Sequence, residues 1–391
     1  MFADREAPSE RFAPTSPAVA GEDKAHLQLA VEKWEAGHRK SLLTAAVFQA
    51  TLLPMTQTCH RITLARHITG LPRLEDFQLA AFAPPELKPG QFRVAHQFVS
   101  ADPGTRSRLS GMDSYAGALP IGATVDGFCV GPVVESQNEN YPIGQMVTVG
   151  GGWSTHSVSN GRGYCAKIPD VDVPLSAWIG VLGVPGMTAY FGLRRVATME
   201  AGARVLITSA AGPVGASAGQ LARAWGAAQV WGVASLGPKA DWLMQEAGFD
   251  GIIDYRAPDF DARVAEAFPE GIDILFDNVG NAMIDRLIPF LRPRARIVVS
   301  GQVGDYNVAH SARVGIVNTD RFITHRLTMQ GLVVFDDLPA FPAAQAEMAG
   351  MIMAGQLKLK EVVSEGLESL PAAFCGLFEQ GGAFGRRIAR L

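Results

Sequence analysis

The segment with the clearest chemical potential is a glycine-containing loop, Ala210-Ala211-Gly212-Pro213-Val214-Gly215. It fits GxGxxG with alanine first, follows the apolar run Arg204–Ser209 and opens a helical stretch. We expect Gly212 to let the backbone approach a pyrophosphate and Gly215 to let the helix pack close to the sheet. The helix N-terminus adds N–H donors and a positive dipole. The predicted cofactor-binding residues here are therefore Ala211, Gly212, Val214 and Gly215. An ordinary tight turn is the alternative.

The residues after the next strand indicate which nucleotide is bound. A ribose 2′-hydroxyl is normally bound by Asp or Glu at the end of that strand. Here the strand Gln229–Ala234 is followed by Ser-Leu-Gly-Pro and then Lys239, with no carboxylate. Lys239 is well placed for a 2′-phosphate, which favours NADP over NAD. A solvated lysine in a first helical turn is the alternative interpretation.

A serine motif overlaps the same loop and keeps a hydrolase open as an alternative of another class. Residues 215–219 match GxSxG around Ser217, and His310 or His325 could serve as the base. A nucleophilic serine should stand at the sharp turn directly after the strand. Ser217 instead follows Ser209 by several residues and falls inside the predicted helix. The spacing therefore favours nucleotide binding over hydrolysis.

The cysteines and histidines form no ligand pattern. The four cysteines stand at 59, 129, 165 and 375, and no two form a CxxC pair. The eight histidines are scattered, with no HExxH motif and no His beside Cys at ligand spacing. We therefore predict no metal site and no disulfide framework.

The elements that must position the glycine loop have the pattern of a parallel sheet. Apolar runs without polar alternation, separated by helical stretches, indicate strands buried on both faces. Residues 339–355 are predicted as a helix rich in Ala and Met, and Arg386–Leu391 as a last strand. The predicted strands of the sheet are Arg204–Ser209, Gln229–Ala234, Gly251–Asp254, Asp273–Asp277, Arg296–Ser300 and Leu327–Val334.

A second, mostly β unit precedes this sheet. From about Arg61 to Asp170, short strand-like runs alternate with turn clusters, which is typical of a small barrel. Before it, residues 1–22 have a disordered composition and residues 23–53 a helical period, so 1–54 is predicted as an N-terminal extension. The predicted strands of the β unit are Arg61–Leu64, Phe92–Phe98, Val125–Glu135 and Gln145–Val149.

Composition excludes several classes of function. The 391 residues carry 34 Lys and Arg against 38 Asp and Glu, a net charge of −4. This gives no electrostatic basis for binding nucleic acid or an anionic membrane. No run of 18 apolar residues is present, so no membrane span is expected. A cytoplasmic location is the default expectation.

Seven segments share their order and spacing, from about Met55 to the C-terminus, with those of one known family. They are Asp102-Pro103 with Arg106, Ser114-Tyr115, VPGMTAYFG at 184–192, the loop at 210–215, FDNVG at 276–280, Gly301 through Tyr306-Asn307, and Gly331–Val334. Together they resemble the zinc-independent medium-chain dehydrogenase/reductases of the prostaglandin reductase and 2-alkenal double-bond reductase type.

The resemblance implies an α/β protein of two domains. Residues 55–180 and 337–391 would form a mostly β GroES-like catalytic domain, and residues 181–336 a Rossmann domain with a parallel sheet. The cleft between them would hold NADPH and a small-molecule substrate. Family members are usually homodimers.

The resemblance also implies roles for individual residues. Thr188 matches a position near the nicotinamide, and Asn278 and Gly301 match positions near the cofactor. Lys239 and Tyr255 match contacts to the 2′-phosphate. Tyr306 matches the tyrosine thought to steady the developing enolate, and Gly104 and Tyr115 match the substrate pocket.

Four residues depart from the family pattern. Gly104 stands where a tyrosine is common, which should widen or reshape the substrate pocket. Ala383 replaces an asparagine that contacts the cofactor, and Leu236 replaces a small polar residue near the 2′-phosphate. Asp305 replaces a small hydroxyl residue beside Tyr306, for which the sequence offers no reason.

The chemistry that the resemblance implies is reduction of the C=C bond of α,β-unsaturated ketones and aldehydes without zinc. NADPH would deliver hydride to the β carbon. Tyr306, together with a ribose hydroxyl of the cofactor, would stabilise the charge that develops on the carbonyl oxygen. A quinone or alcohol oxidoreductase on the same fold is one alternative. A nucleotide-binding protein without enzymatic activity is another.

Overall fold

The computed structural model describes residues 58–112, 117–379, 381–382 and 384–391. The predicted extension, with its helical stretch at 23–53, lies outside the described residues, as do Tyr115 and Ala383. Within the described residues, no helix is long and apolar enough to cross a membrane.

Six strands form the predicted parallel sheet: β9 (Arg204–Thr208), β10 (Gln229–Val233), β11 (Gly251–Ile253), β12 (Ile272–Asp277), β13 (Leu291–Val299) and β14 (Thr328–Gly331). Their order is β11-β10-β9-β12-β13-β14, and every neighbouring pair is parallel. Residues 205–207 of β9 are all fully buried, as expected for a strand covered on both faces. Strand order reverses between β9 and β12, which are neighbours at the centre.

Helices cover this sheet and connect its strands. Apolar residues from both faces of the sheet pack against them in two separate clusters. The helices on this sheet are α1 (Val184–Phe191), α2 (Pro213–Ala224), α3 (Pro238–Gln245), α4 (Phe260–Ala267), α5 (Asn281–Leu287), α6 (Asp320–Thr324) and α7 (Phe341–Met353), whereas α8 (Leu370–Cys375) packs in the core of the β unit.

The β unit has its own core and a mostly antiparallel sheet. Its strands are β1 (Cys59–Leu64), β2 (Phe77–Phe82), β3 (Phe92–Ala95), β4 (Phe98–Ser100), β5 (Cys129–Ser136), β6 (Met146–Val149), β7 (His156–Ser159), β8 (Cys165–Lys167), β15 (Glu361–Glu365) and β16 (Arg386–Arg390). The C-terminal strand β16 pairs with β4, so the chain returns to the β unit after completing the parallel sheet. The predicted fold class, a parallel-sheet nucleotide fold with a mostly β partner, is confirmed.

Some predicted boundaries were wrong. The run Phe92–Phe98 is divided between two strands, β3 and β4, and at the end of β3 the chain passes so close to Gly131 that a Cβ there would lie 1.9 Å from the Ala95 carbonyl oxygen. The predicted strand Leu327–Val334 is limited to Thr328–Gly331, and a 3-10 turn begins at Val334.

Candidate active site

The candidate site lies at the carboxyl edge of the parallel sheet, where β9 meets β12. Ligands of open parallel sheets bind in the crevice at such a reversal of strand order. Thr208 ends β9 and Asp277 ends β12, and the Thr208 hydroxyl donates a 2.6 Å hydrogen bond to Asp277 Oδ1. Both residues are fully buried. The ends of β9 and β12 are therefore fixed to one another at the point where their loops begin.

Asn278, the next residue, is held from two sides. Its backbone N–H donates to Thr208 Oγ1 at 2.9 Å, and its Nδ2 donates to the Thr208 carbonyl oxygen at 2.8 Å. Its Oδ1 accepts a 2.6 Å hydrogen bond from the Ser300 hydroxyl. A Cβ on Gly301 would lie 3.3 Å from the Asn278 carbonyl oxygen, so these two predicted site residues are brought together. Thr208 and Ser300 are not among the predicted residues, although a hydroxyl residue at the end of a buried run is the signal that marks both.

The glycine loop brings the start of α2 against the end of β9. A Cβ on Gly215 would lie 2.6 Å from the Ser209 carbonyl oxygen and 2.8 Å from Ala210 Cα, a space that only glycine fits. Helix α2 begins after Gly212, and no side chain caps it. The N–H groups of Val214 and Gly215 therefore lack an intrahelical partner. They lie at the positive end of the helix dipole, an arrangement that suits an anion.

The C-terminal segment lies over the same loop. The Gly385 N–H donates a 2.9 Å hydrogen bond to the Ala211 carbonyl oxygen. Lys239, in the first turn of α3, donates to the carbonyl oxygens of Gly381 and Gly382. The residue predicted to bind a 2′-phosphate is thus engaged by backbone carbonyls of the C-terminal segment.

Lys239 and Tyr255 follow the ends of the neighbouring strands β10 and β11. Burial lowers the pKa of Lys239, and the cations Arg387 and Arg256 lower it further. Arg256 lies 5.5 Å from the ring centroid of Tyr255, which is 39% exposed, and it forms a 2.8 Å ion pair with Asp254. The region around Lys239 therefore carries several positive charges, which suits a phosphate.

Thr188, the residue predicted to lie near the nicotinamide, is on a helix that precedes the parallel sheet. It lies in α1, is almost fully buried, and donates a 2.8 Å hydrogen bond from its hydroxyl to the Val184 carbonyl oxygen. Its hydroxyl is therefore bound within its own helix rather than to the strand-end residues.

The loop after β13 holds the half-buried Tyr306. The N–H groups of Val303 and Gly304 donate to carbonyl oxygens of the FDNVG segment at 3.1 and 2.9 Å. The Asn307 Oδ1 accepts a 3.0 Å hydrogen bond from Arg106 Nε of the β unit. Tyr306 thus lies between a segment tied to the parallel sheet and a residue tied to the β unit.

The predicted substrate side begins two residues before Arg106. Gly104 is exposed in the 3-10 segment Pro103–Ser110, and a Cβ there would meet no atom within 4 Å. Because Arg106 binds Asn307, this segment lies beside the Tyr306 loop. The glycine therefore leaves open space at this point of the segment.

Two buried carboxyl groups, those of Asp277 and Asp305, lie close to the Tyr306 loop. Asp277 Oδ2 accepts hydrogen bonds from the N–H groups of Gly280 at 2.8 Å and Val279 at 3.2 Å. Burial nevertheless raises the pKa of Asp277 to about 7, and the nearby Asp305 contributes. Asp305 Oδ2 is buried, has no hydrogen-bond partner and would lie 2.5 Å from a Cβ on Gly280.

The hydrolase alternative finds no support in the geometry. Ser217 is buried inside α2, and its hydroxyl donates a 2.7 Å hydrogen bond to the Pro213 carbonyl oxygen. His325 contacts Arg321 and Thr324, both on its own helix. The serine therefore lies at no turn from which it could attack a substrate.

Comparison with known proteins agrees with this geometry. Residues 60–166 match the family model described as the N-terminal domain of oxidoreductase, and residues 213–350 match the one described as zinc-binding dehydrogenase. The chain is 34% identical to the NADP(+)-dependent 2-alkenal reductase of Nicotiana tabacum, over 84% of this chain and 95% of that protein. It is also 34% identical to prostaglandin reductase 1 of Bos taurus, over 84% and 98%.

The chain belongs to the prostaglandin reductase and 2-alkenal reductase family of medium-chain dehydrogenase/reductases. The crystal structure of CurA from Vibrio vulnificus in complex with NADPH is similar at a TM-score of 0.79 and 31% identity, over 85% of this chain and 98% of that one. The name of the second family model implies zinc, and the residues do not fit it. Across the described ranges, no group of three or more His, Cys, Asp or Glu residues could hold a metal ion.

The Asp277 and Asp305 pair in this family member predicts a pH-dependent stability. The raised pKa of Asp277 means that the folded chain binds its proton more tightly than the unfolded chain, so the stability it contributes is lost as pH rises from about 4 to 7. Asp305→Asn removes the neighbouring charge and should make this loss smaller. We expect the melting temperature to rise by ~2–4 °C at pH 8 and by less at pH 5.

Thermal unfolding between pH 5 and 8 measures this effect. Asp170→Asn, which removes an exposed carboxylate in the β unit, serves as the control and should leave the profile unchanged. An Asp305→Asn shift that is equal at both pH values would show that the two carboxyl groups do not interact.

Proposed function

We propose that this protein reduces the C=C bond of α,β-unsaturated ketones and aldehydes with NADPH and without zinc. The observation that carries the proposal is the placement of two loops at one sheet edge. The glycine loop follows β9, and the Tyr306 loop follows β13 and is bonded to the segment after β12. The names of the tobacco and bovine relatives support the substrate class and the cofactor.

The residues at the edge fit a dinucleotide phosphate. The first-turn amides of Val214 and Gly215 would bind the pyrophosphate, because Gly212 leaves the approach free of a side chain. Lys239 would bind the 2′-phosphate in exchange for the carbonyl oxygens of the C-terminal segment. Asn278 and Gly301 would border the cofactor in the crevice, with Thr188 near the nicotinamide.

When bound, NADPH supplies hydride to the β carbon of the substrate. The chain's own contribution is to hold the substrate carbonyl so that the oxygen on which negative charge develops meets the Tyr306 hydroxyl. A donor aimed at that oxygen stabilises the transition state more than the ground state. Tyr306 or water then gives the proton that the α carbon needs. Gly104 leaves room on the substrate side for bulky enones.

A screen of NADPH oxidation over enones, enals and quinones tests this function, with the enzyme dialysed against EDTA. We expect turnover with conjugated alkenes and no loss of rate after dialysis. Turnover with quinones alone would replace the proposal by a quinone reductase. Cofactor binding without turnover of any acceptor would indicate a nucleotide-binding protein.

Tyr306→Phe tests the catalytic residue, because it keeps the ring and removes the donor. Loss of one such donor typically costs ~100- to 1000-fold in kcat. We expect about 10- to 100-fold here, with KM nearly unchanged, because a ribose hydroxyl would remain as a second donor. Tyr141→Phe in the β unit, where the ring stacks on Phe92, is the matched control. If kcat of Tyr306→Phe stays within about twofold of wild type, Tyr306 is not the donor.

Lys239→Ala tests the cofactor preference. A charged hydrogen bond contributes ~1.5–3 kcal/mol, so KM for NADPH should rise about tenfold or more. KM for NADH should change little, because NADH has no 2′-phosphate. A small change in KM for NADH would measure the effect of losing the Lys239 hydrogen bonds to Gly381 and Gly382. Lys358→Ala, which breaks an ion pair with Glu246, is the control. An equal rise for both cofactors would contradict the 2′-phosphate role of Lys239.

We also propose the finer features that the family resemblance implies. Residues 55–180 with 337–391 form the catalytic domain and residues 181–336 the Rossmann domain, which is supported by the return of β16 to the β unit. A cytoplasmic location is supported by the four free cysteines. A homodimer is supported by β14, an edge strand whose four residues are all exposed.

The homodimer is expected to form along β14, since an exposed edge strand can pair with the same strand of a second copy about a twofold axis. Light scattering should give twice the chain mass of 41.6 kDa, and Ile323→Asp should give the monomer. Leu74→Asp, an exposed apolar residue of the β unit, should leave the dimer intact. A wild-type protein of monomer mass would overturn this proposal. The exposed large apolar residues of the segment 314–333, which contains this strand, are Val314, Val317, Ile323, Met329 and Val333.

A further inference from the structure

A buried arginine joins the β unit to the Tyr306 loop. Arg106 is 3% exposed and lies in the 3-10 segment Pro103–Ser110. Its Nη2 donates to the carbonyl oxygens of Ile68 at 3.0 Å and Gly70 at 2.8 Å, and its Nε donates to Asn307 Oδ1 at 3.0 Å. The guanidinium is a rigid fork, so the two carbonyl bonds fix the direction in which Nε points.

The charge of Arg106 has no direct counter-ion. Within the part of the chain that the structure describes, no carboxylate lies within ion-pair distance of it, and Asp76, which acts on it from further away, is paired with Arg66. A buried cation without a carboxylate is costly unless its hydrogen bonds are well formed. The guanidinium therefore depends on its three neutral acceptors, which are the carbonyl oxygens of Ile68 and Gly70 and the side-chain oxygen of Asn307.

Asn307 directly follows Tyr306, and the chain on the other side of Tyr306 is fixed by different contacts. Val303 and Gly304 are bonded to the FDNVG segment, and the Asp305 N–H donates to the Gln302 carbonyl oxygen at 2.9 Å. The position of the Tyr306 ring is thus set from the parallel sheet on one side and from Arg106 on the other.

We propose that Arg106 is a positioning residue for Tyr306: through Asn307 it holds the phenol where it can donate to the substrate oxygen. The inference rests on the proposed donor role of Tyr306 and names the contact that makes this role possible. Arg106 acts through Asn307 and not by contact with substrate or cofactor. Because Arg106 is fixed in the β unit, it sets the position of the Tyr306 hydroxyl relative to the proposed substrate side.

Asn307→Leu is the main test, because it keeps the side-chain size and removes the acceptor while leaving the other bonds of Arg106. We expect kcat for the best enone to fall at least about fivefold, with KM for NADPH within about twofold. Asn307→Asp keeps the acceptor oxygen and should remain within about twofold of wild type. Arg106→Lys, which keeps the charge but not the fork, should resemble Asn307→Leu.

A double variant separates positioning from a merely structural effect. In a Tyr306→Phe background the positioned hydroxyl is absent, so Asn307→Leu should change kcat less than about twofold. The inference is overturned if the two losses multiply or if Asn307→Leu alone leaves kcat unchanged. If Tyr306→Phe itself is as active as wild type, the donor role and this inference fail together.

A spectroscopic readout tests the contact without substrate or cofactor. The chain has six tyrosines, and after 3-fluorotyrosine labelling the resonance missing in Tyr306→Phe identifies Tyr306. Asn307→Leu should shift or broaden that resonance, and Asn307→Asp should not. Asn138→Leu, which removes a side-chain bond to the Gly90 carbonyl oxygen, is the matched control. An unchanged Tyr306 resonance in Asn307→Leu overturns the inference, even if no enone is turned over.

Discussion

The buried hydrogen bond between Thr208 and Asp277 is the constraint on which the rest of the site depends. It joins two central strands at the point where their chains leave in different directions, one into the glycine loop and the other toward Asn278. Asp277 also accepts two backbone N–H groups, so its carboxylate organises the turn after β12 as well. Removing one partner would leave a buried polar group unsatisfied, at a cost of ~1–3 kcal/mol. The glycine loop and the segment that begins at Asn278 are therefore held by the same hydrogen bond.

The β unit and the parallel sheet are held together by a small number of polar contacts. Each contact joins residues that are far apart in the sequence. The Arg386 guanidinium on β16 donates to the Ile179 carbonyl oxygen and forms an ion pair with Asp102, and Gln345 donates to the Leu182 carbonyl oxygen at 2.8 Å. These contacts fix β16 and α7 against the segment that precedes α1. The same contacts therefore hold the β unit against the helices of the parallel sheet.

Local patterns in the sequence were sufficient for the sheet and for the glycine loop. Apolar runs without alternation predicted β9 to β13, because strands buried on both faces need them, and the spacing of Gly215 from β9 predicted a close approach. The contacts of Lys239 and of Arg106 could not be predicted in this way. Lys239 binds carbonyl groups about 140 residues later, and Arg106 binds an amide 201 residues away. Such contacts depend on how the β unit packs against the parallel sheet, and a short sequence pattern carries no information about that packing. Tyr306 was found through the family resemblance alone, since a tyrosine in a polar loop carries no signal of its own.

The residues on either side of Tyr306, Asp305 and Asn307, contact different parts of the protein. The contact of Asp305 could not be predicted from the sequence. Asn307 is bonded to the β unit, whereas Asp305 lies against Gly280, where a φ of 125° and the lack of a Cβ admit the carboxylate. A smaller neutral group would fit the same space without the unpartnered oxygen, so the aspartate at 305 costs stability. The cost is lower when Asp277 is protonated, because a single negative charge is then buried there. The electrostatic cost of burying Asp305 therefore depends on the protonation of Asp277, the same carboxyl group that joins the two strand ends.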